Sequence, residues 1–393
     1  MRISYEELNK MCGALGVDRM NSWSRVNCVH NSLYEYYLKY ILHKKEDRSD
    51  NIYVVTGGLS HEILEKFYGK EISYEEMINE FDDGWMLAFD VADLKFVRGD
   101  SKRNNNIANK YYYDLYNFFN THEIITQKMS IEEFVYVKIG NEYYQGYIDA
   151  HLEDENGIHT ILDYKTSSIY KGTKAKDSSG QLVMYAMALH QKGIPYEKIR
   201  IAWNFLKYQC VTVQSKKGVK KVREIERFEL GEKLQANAKM WLKEFGYEAE
   251  MFEYLDKLAQ TNDITCLPPE VQAKYELHDC YVYVDLTPEL IQYWENFIIN
   301  TMKMIREKEA TYEELKAAGK YDEADKLWWE DEESLKKQSY YLTNLCGYST
   351  NLHKPLKAYL DAQDAKKNGD ILGTKKNQDE EYDIDNLDWL NDL

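Results

Sequence analysis

The feature that most constrains this chain is a pair of strand-like segments separated by a short turn. Segments 143–152 and 158–165 are rich in Tyr, Ile and Leu, which are common residues of β-strands. Between them, Asn156-Gly157 supplies the positive φ that tight turns need. The sequence therefore predicts a β-hairpin that folds about Asn156.

Charged side chains occupy corresponding positions in the two arms of this hairpin. A fold about Asn156 places Asp149 opposite Asp163, and strand alternation places Lys165 on the same face as Asp163. Opposed carboxylates repel each other and destabilise a sheet unless a cation lies between them. Mg²⁺ or Mn²⁺, which prefer oxygen ligands, would reverse the sign of that interaction. These residues are thus a candidate metal site, with a lysine able to orient water or stabilise charge on a phosphate.

The alternative interpretation is an edge hairpin whose charged side chains are simply solvated. A slip of the strand register by one residue would separate the two carboxylates. Asp163 favours the metal site, because it follows the apolar pair Ile161-Leu162, as expected of a strand that enters a core.

Composition narrows the class of protein. The 393 residues suffice for one large domain or two ordinary ones, and 44% hydrophobic with 30% charged residues fits a soluble globular protein. The N-terminus lacks the apolar segment of a signal peptide and no 18-residue apolar run occurs, so we expect a cytoplasmic protein without a membrane partner. Six scattered cysteines with no CxxC pair favour reduced thiols and offer no structural zinc site.

The net charge of −17 is unevenly distributed. Residues 379–393 carry seven acidic residues and no basic one, and removing those seven charges leaves about −10. Because local patches rather than net charge decide phosphate contacts, clustered basic residues are candidate phosphate-binding groups, with solvated loops as the alternative. Two such clusters occur, one directly after the candidate metal site (Lys171 and Lys174) and one in a predicted hairpin (Lys216, Lys217, Lys220, Lys221 and Arg223).

Helical and strand-like segments follow one another in a simple order. Those predicted as helices are 22–42, which begins at a Ser cap, 57–67, which follows a break at Gly57-Gly58, most of 74–128, 179–193, and the segments beyond Leu230. Those predicted as strands are three within 132–165, one at 198–206, and a hairpin within 207–230.

The strand–strand–strand–helix–strand order over 132–206 describes an α/β core, in which an antiparallel meander is extended by a strand after a crossover helix. We expect a mixed sheet flanked by helices, followed by a helical C-terminal extension. The predicted regions are an N-terminal helical region (1–130), the core (131–230), a helical C-terminal region (231–363), and a polar linker with an acidic tail (364–393).

Several groups of residues resemble the motifs of RecB-type nucleases of the PD-(D/E)xK superfamily, which include phage and CRISPR-associated RecB-like exonucleases. Each motif alone is common, but their order and spacing together are a strong signal, and the similarity spans residues 22–206. In chain order the matching residues are Ser22–Val26 with Tyr34–Tyr40, Gly57–Glu65, Gly146–Asp149, Asp163–Thr166, and Gln181–Tyr185.

The resemblance implies a restriction-endonuclease-like PD-(D/E)xK core and a role for each matching residue. The metal ligands would be His61, Asp149, Asp163 and the backbone carbonyl of Tyr164, and Lys165 would position the attacking water. Gln181 and Tyr185 would support the site or the DNA, and Glu65, one helical turn after His61, would be a partner of that histidine. The alternatives are that His61 is an ordinary residue at a helix N-terminus, that Gln181 and Tyr185 only pack, and that Glu65 is solvated.

The activity that the resemblance implies is metal-dependent hydrolysis of DNA, by an exonuclease acting on single- or double-stranded ends in phage or bacterial recombination, repair or replication. A metal activates water near neutral pH and neutralises charge on the phosphate. Two alternatives are a silent DNA- or protein-binding module on a nuclease fold and a structure- or site-specific endonuclease. Intact Asp149, Asp163 and Lys165 count against the silent module.

Two further features bear on cofactors and partners. Many RecB-type nucleases hold an iron–sulfur cluster through one N-terminal and three C-terminal cysteines. Asn31 lies near the first of these positions and only Cys346 remains in the stretch 340–353, so we expect no iron–sulfur cluster. Residues 379–393 alternate acidic and apolar residues and resemble the tails of single-stranded-DNA-binding proteins. That tail is expected to recruit a replication or recombination protein, to compete with DNA for basic groups, or only to aid solubility.

Overall fold

The computed structural model describes residues 3–48, 52–97 and 100–369. The acidic tail 379–393 and most of the polar linker lie outside the described residues, so their predicted roles remain predictions. No helix in the described ranges is long and apolar enough to cross a bilayer.

A mixed sheet forms the centre of the fold. Seven strands belong to it within the described ranges: β1 (Asn21–Ser22), β2 (Lys128–Ile139), β3 (Glu142–Glu153), β4 (His159–Lys165), β5 (Ile199–Gln214), β6 (Lys220–Glu226) and β7 (Tyr275–Val284). Strands β2, β3 and β4 form an antiparallel meander, and β5 is added parallel to β4. Both β6 and β7 pair antiparallel with β5. The predicted α/β class, with a meander extended by a crossover strand, is confirmed.

Helices cover both faces of the sheet. They are α1 (Tyr5–Leu15), α2 (Trp23–Asn31), α3 (Leu33–Tyr36), α4 (Ile52–Tyr68), α5 (Glu76–Trp85), α6 (Ser101–Thr121), α7 (Thr173–Asp177), α8 (Gly180–Gln191), α9 (Leu230–Glu244), α10 (Met251–Thr261), α11 (Pro269–Gln272), α12 (Pro288–Ala317), α13 (Tyr321–Lys326), α14 (Glu332–Lys337), α15 (Ser339–Asn344) and α16 (Lys354–Gly369). Two π-helical turns, Tyr37–Ile41 and Met86–Val91, extend α3 and α5.

The buried apolar residues form three clusters around the sheet. The largest lies on one face, where α8 and α12 cover the strands and aromatic residues from both ends of the chain meet. A second lies on the other face, beneath α4, α5 and α6. The third lies at the far end of β5, beneath α9, α10 and α11. The site-bearing strands are therefore buried on both faces, which fixes their register.

The predicted hairpin register is confirmed. Strands β3 and β4 pair at Ala150 with Leu162 and at His151 with Ile161, as a fold about Asn156 requires. In the turn, Gly157 has a φ of +69°, and its N–H donates to the carbonyl of Asp154 at 3.0 Å. The Asp154 carboxylate closes the turn by accepting the backbone N–H groups of Asn156 and Ile158, each at 2.8 Å.

The N- and C-terminal parts of the chain are joined by buried polar contacts. Ser32 Oγ lies 3.1 Å from Nε2 of His353, and it donates to Oε1 of Glu330. The same carboxylate oxygen accepts the backbone N–H of Tyr34 at 2.9 Å, and the Tyr34 ring lies 5.0 Å from the His353 ring. Polar and aromatic side chains thus connect the two ends of the chain.

The prediction of a single helix over 22–42 is wrong. Ser22 caps α2 as expected, but the helix ends at Asn31 because Ser32 adopts an extended conformation with φ −161°. The Ser32 hydroxyl accepts the N–H of Glu35 at 3.0 Å and starts α3. A serine side chain that competes for backbone groups interrupts an otherwise continuous helical pattern.

The predicted break at Gly57-Gly58 is also wrong. Helix α4 begins at Ile52 and runs through both glycines. A Cβ added to Gly57 would lie 3.6 Å from Oγ1 of Thr166, just beyond the end of β4. The small residue therefore permits close approach of helix and sheet instead of ending the helix.

The region 231–363 is not wholly helical, because it contains β7. This strand pairs with β5, which itself runs to Gln214 and not only to the predicted residue 206. The alternation of apolar and polar residues that would identify β7 in the sequence is broken at Asp279, a charged residue that is buried. It is satisfied by Arg227 at 2.8 Å and His122 at 2.6 Å, from distant parts of the chain.

Candidate active site

The candidate site lies where β3 changes its neighbour along one side. Strand β4 pairs with β3 as far as Ala150, and β1 pairs with it at Tyr144 and Gln145. Among the described residues, no strand pairs with positions 146–149 on that side. A cleft with a volume of about 1130 Å³ opens at this gap. The change of neighbour thus leaves an open space beside the unpaired middle part of β3.

Asp149 lies at the end of the gap, where its side chain replaces a backbone carbonyl as the hydrogen-bond acceptor for β4. Its Oδ2 accepts the backbone N–H of Tyr164 at 3.0 Å. In the hairpin register Asp149 and Asp163 come one step after the last pair, Ala150 and Leu162, so they face each other as predicted. Both aspartates and Lys165 line the cleft.

Asp163 is a buried carboxylate that the protein satisfies incompletely. The residue is 4% exposed, and its Oδ2 accepts no hydrogen bond from the described residues. Lys165 Nζ lies 3.2 Å from that oxygen, close enough for an ion pair but without the geometry of a hydrogen bond. Burial, opposed by Lys165 and reinforced by the charge of Asp149, raises the pKa of Asp163.

Asp149 differs, because His61 compensates its charge. His61 Nδ1 lies 3.3 Å from Oδ2 of Asp149, and His61 Nε2 donates to the carbonyl oxygen of Tyr164 at 2.8 Å. Burial disfavours the charged form of both groups, but their attraction outweighs it. The pKa of Asp149 is therefore lowered, and that of His61 is raised to about 9 by Asp149 and Asp163.

The donor set fits a hard divalent cation. Carboxylate and carbonyl oxygens are the ligands that Mg²⁺ and Mn²⁺ prefer, and the unsatisfied oxygen of Asp163 is a free acceptor in the cleft. In the part of the chain that the structure describes, however, no three His, Cys, Asp or Glu side chains are already arranged around a metal position. Both nitrogens of His61 face protein acceptors, so a cation that used this histidine would displace those contacts.

The helix α8 brings Gln181 and Tyr185 to the same cleft. Gln181 Nε2 donates to the hydroxyl of Tyr185 at 3.0 Å. The Tyr185 ring packs directly against the backbone of β3, where a Cβ added to Gly146 would lie 2.4 Å from Cε1 of the ring. A glycine three residues before Asp149 therefore has a steric reason, because it admits the tyrosine beside the site.

Of the glutamates that line the cleft, Glu65 and Glu132 also line a small cavity together with His61 and Asp149. Glu65 lies one turn after His61 on α4, as predicted from the sequence. Glu132 on β2 is 7% exposed and was not among the predicted residues. The register of the β2–β3 pair, which places it opposite Asp149, is the signal that could have identified it.

None of the seven basic residues predicted to bind phosphates lines the cleft. Lys171 lies 3.4 Å from Glu224, and Lys216 and Lys220 are paired at 2.5 Å with Glu244 and Glu276. Lys174 lies 5.6 Å from the centre of the Tyr170 ring, and Lys217, Lys221 and Arg223 are exposed on the hairpin. Among the described residues, the lysine and arginine side chains that line the cleft are Lys39, Arg48 and Lys165.

A family model described as the PD-(D/E)XK nuclease superfamily matches residues 21–266, which is more than half of the chain. No curated protein matches the chain significantly. The matched range contains His61, both aspartates, Lys165 and the α8 residues of the cleft.

Proposed function

Because this chain belongs to the PD-(D/E)XK nuclease superfamily, we propose that it is a metal-dependent deoxyribonuclease, and specifically a RecB-type exonuclease. The observation that carries this proposal is the unsatisfied, buried Oδ2 of Asp163, with Lys165 Nζ 3.2 Å away and Asp149 opposite. A purely structural hairpin gains nothing from a buried carboxylate oxygen without a donor. A phage or bacterial setting in recombination, repair or replication is part of the proposal.

His61, Asp149, Asp163 and the carbonyl of Tyr164 would hold the cation in this proposal. When bound, a divalent cation supplies charge neutralisation at the phosphate and water with a lowered pKa. Lys165 has the reach to hold a water molecule by hydrogen bonding and to balance negative charge that develops on the phosphate. The hydrogen-bonded pair of Gln181 and Tyr185 supports the wall of the cleft beside Gly146.

The walls of the cleft support a strand end as the substrate. Residues from both ends of the described chain line it, including the aromatic residues Trp23, Tyr53 and Tyr341. Aromatic rings provide stacking surfaces for unpaired bases without reading their sequence. A frayed or single-stranded end fits such a surface better than a continuous duplex does.

A cleavage assay on labelled DNA tests the proposal. Linear single- and double-stranded DNA, labelled at one end, is incubated with the protein in Mg²⁺ or Mn²⁺ and then with EDTA. We expect metal-dependent release of short products from an end, no cleavage in EDTA, and resistance of covalently closed circles. Cleavage of the circles would instead show an endonuclease. Comparing the cleavage rates of DNA and of RNA with the same sequence shows which nucleic acid the protein prefers.

The basic hairpin and the acidic tail have proposed roles outside the cleft. Lys171, Lys174 and the hairpin cations would contact DNA phosphates that extend beyond the site. The tail 379–393 would recruit a replication or recombination protein. Deleting it should leave activity on naked DNA unchanged and remove a co-purifying partner, whereas faster cleavage at low salt would indicate that the tail competes with DNA.

A further inference from the structure

The ladder between β2 and β3 is interrupted at a single level. Ile131 pairs with Ala150 and Glu133 pairs with Ile148, but Glu132 and Asp149, which face each other between them, do not pair. Asp163 lies opposite Asp149 on its other side. Three acidic residues therefore stand in a row across β2, β3 and β4, at the level where the cleft opens.

The backbone at this level is distorted in a way that a regular sheet does not need. Glu132 has a φ of +47°, in the left-handed region that residues with a side chain seldom adopt. Ala150 belongs to the core cluster under α4, whereas Ile148 belongs to the cluster on the opposite face, so β3 changes face at Asp149. Such strain persists where the surrounding structure holds it, and it is concentrated at functional sites.

The Glu132 side chain lies in the cleft with the proposed metal ligands. Glu132, Asp149 and His61 line both the cleft and a small cavity of about 10 Å³ next to it, which is about the size of one water molecule. Glu132 is 7% exposed, so its carboxylate lies at the buried inner wall of the cleft. Asp163 lines the same cleft, and its buried Oδ2 accepts no hydrogen bond from the described residues although Lys165 Nζ lies 3.2 Å away.

We propose that Glu132 is a further metal-binding carboxylate, which shares a cation with Asp149. This inference rests on the proposed function, because it adds a ligand to the same metal site. The Glu132 carboxylate would add oxygen ligands to the site, and oxygen ligands favour hard cations such as Mg²⁺ and Mn²⁺ over softer metals. Glu132 lies opposite Asp149 in the β2–β3 register, and both side chains line the cleft.

Titration with Mn²⁺ in the absence of DNA tests this directly. Glu132→Gln keeps the shape of the side chain and removes its charge. We expect its dissociation constant for Mn²⁺, measured by calorimetry or by the electron paramagnetic resonance of free Mn²⁺, to rise about tenfold or more. The matched control is Glu133→Gln on the same strand, because Glu133 contacts His151 at 2.6 Å and Lys192 at 2.9 Å and does not line the cleft. An Mn²⁺ affinity of Glu132→Gln equal to that of the wild type would overturn the proposal.

A second readout separates a ligand from a structural residue. In EDTA, the melting temperatures of the wild type and Glu132→Gln give the effect of the substitution on the fold alone. In Mn²⁺ the gain in melting temperature of Glu132→Gln should be less than half that of the wild type. If the Gln variant does not fold, Glu132→Gly, which relieves the positive φ, is measured in the same way.

The outcomes for the two proposals are distinguishable. A wild-type protein that neither binds Mn²⁺ nor cleaves DNA overturns the proposed function, and the role of Glu132 with it. A wild-type protein that binds Mn²⁺ and cleaves DNA, together with a Glu132→Gln variant of unchanged affinity, overturns the role of Glu132 alone.

Discussion

Nε2 of His61 donates a hydrogen bond to the carbonyl oxygen of Tyr164 at 2.8 Å, so two groups proposed to bind one cation bind each other. Helix α4 and strand β4 are thereby connected at the centre of the site. The contact orients the imidazole, and a cation that used both groups would take the place of the shared proton.

We predict that His61→Ala weakens metal binding more than it weakens the fold. The variant should need about tenfold or more Mn²⁺ for half-maximal cleavage, as expected when a ligand or its support is lost. Titrating activity with Mn²⁺ measures this, and the matched control is His190→Ala on α8, since His190 is exposed and does not line the cleft. An unchanged titration for His61→Ala would leave that residue a purely structural role.

Gly146→Ala should disturb Tyr185. The added Cβ would lie 2.4 Å from Cε1 and 2.7 Å from the hydroxyl oxygen of the ring, so the ring must move and its hydrogen bond to Gln181 must change. We expect a loss of about 1–3 kcal/mol in the free energy of unfolding, measured in urea, and a lower cleavage rate. In a double-mutant cycle with Tyr185→Ala the two costs should be less than additive, and strict additivity would show that the contact is unimportant.

The basic hairpin should bind DNA outside the cleft without affecting the chemistry. Strand β5 runs ten residues from Asn204, opposite Tyr164, to Gln214, opposite Lys220, which is about 30 Å at the usual rise. Neutralising Lys216, Lys217, Lys220, Lys221 and Arg223 together should reduce the salt dependence of DNA binding by about 0.7–0.9 log units per lost contact. The cleavage rate at saturating DNA should not change.

A control for this experiment neutralises five lysines of the C-terminal helices and their connections, namely Lys316, Lys320, Lys326, Lys336 and Lys337. Both variants lose the same formal charge, so a general electrostatic effect would appear in both. Salt slopes that are the same for the wild type and the hairpin variant would refute the DNA-binding role.

His353 should make the protein less stable in acid. Burial lowers the pKa of this histidine to about 4, whereas in the unfolded chain it titrates near 6.5. Between these values the unfolded state binds more protons, so this contribution to stability is complete above pH 6.5 and is lost as the pH falls toward 4. The loss is at most about 3 kcal/mol.

Comparing urea unfolding of the wild type and His353→Gln between pH 4 and 7 isolates this effect. Glu330, with Oε1 3.8 Å from Nε2 of His353, has a pKa raised by burial, which gives the opposite trend in both proteins. The variant should be less stable at pH 7 and should lose less stability on acidification. Parallel pH profiles would exclude His353 as the source.

The hairpin that holds the two aspartates was predictable because its determinants are local. Alternation fixes which side chains share a face, and the Asn156-Gly157 turn fixes the register. The contacts that the sequence could not supply join distant residues. Buried Asp279 disguises β7, because its partners Arg227 and His122 are 52 and 157 residues away.

Glu132 was missed for a related reason. It lies within a predicted strand, and an exposed glutamate is the usual outcome for that residue type. It is buried, has a positive φ and lies where the ladder is interrupted opposite Asp149, and no periodic pattern encodes these features. The helix break at Ser32 likewise depends on a side-chain hydrogen bond to the N–H of Glu35. The continuous helix at Gly57 depends on close packing against Thr166, which only the fold defines.

The central claim is that the Asp149, Asp163 and Lys165 constellation hydrolyses DNA with a bound metal, and cleavage by Asp163→Asn tests it most directly. End-labelled linear DNA is incubated with wild type, Asp149→Asn, Asp163→Asn and Lys165→Ala in Mg²⁺ or Mn²⁺, and melting temperatures are recorded in EDTA. We predict that neither aspartate variant cleaves, that Asp163→Asn melts at or slightly above the wild-type temperature because the pKa of Asp163 is raised in the fold, and that Lys165→Ala loses about 100-fold or more in rate. A folded Asp163→Asn protein that cleaves DNA at nearly the wild-type rate would contradict the account.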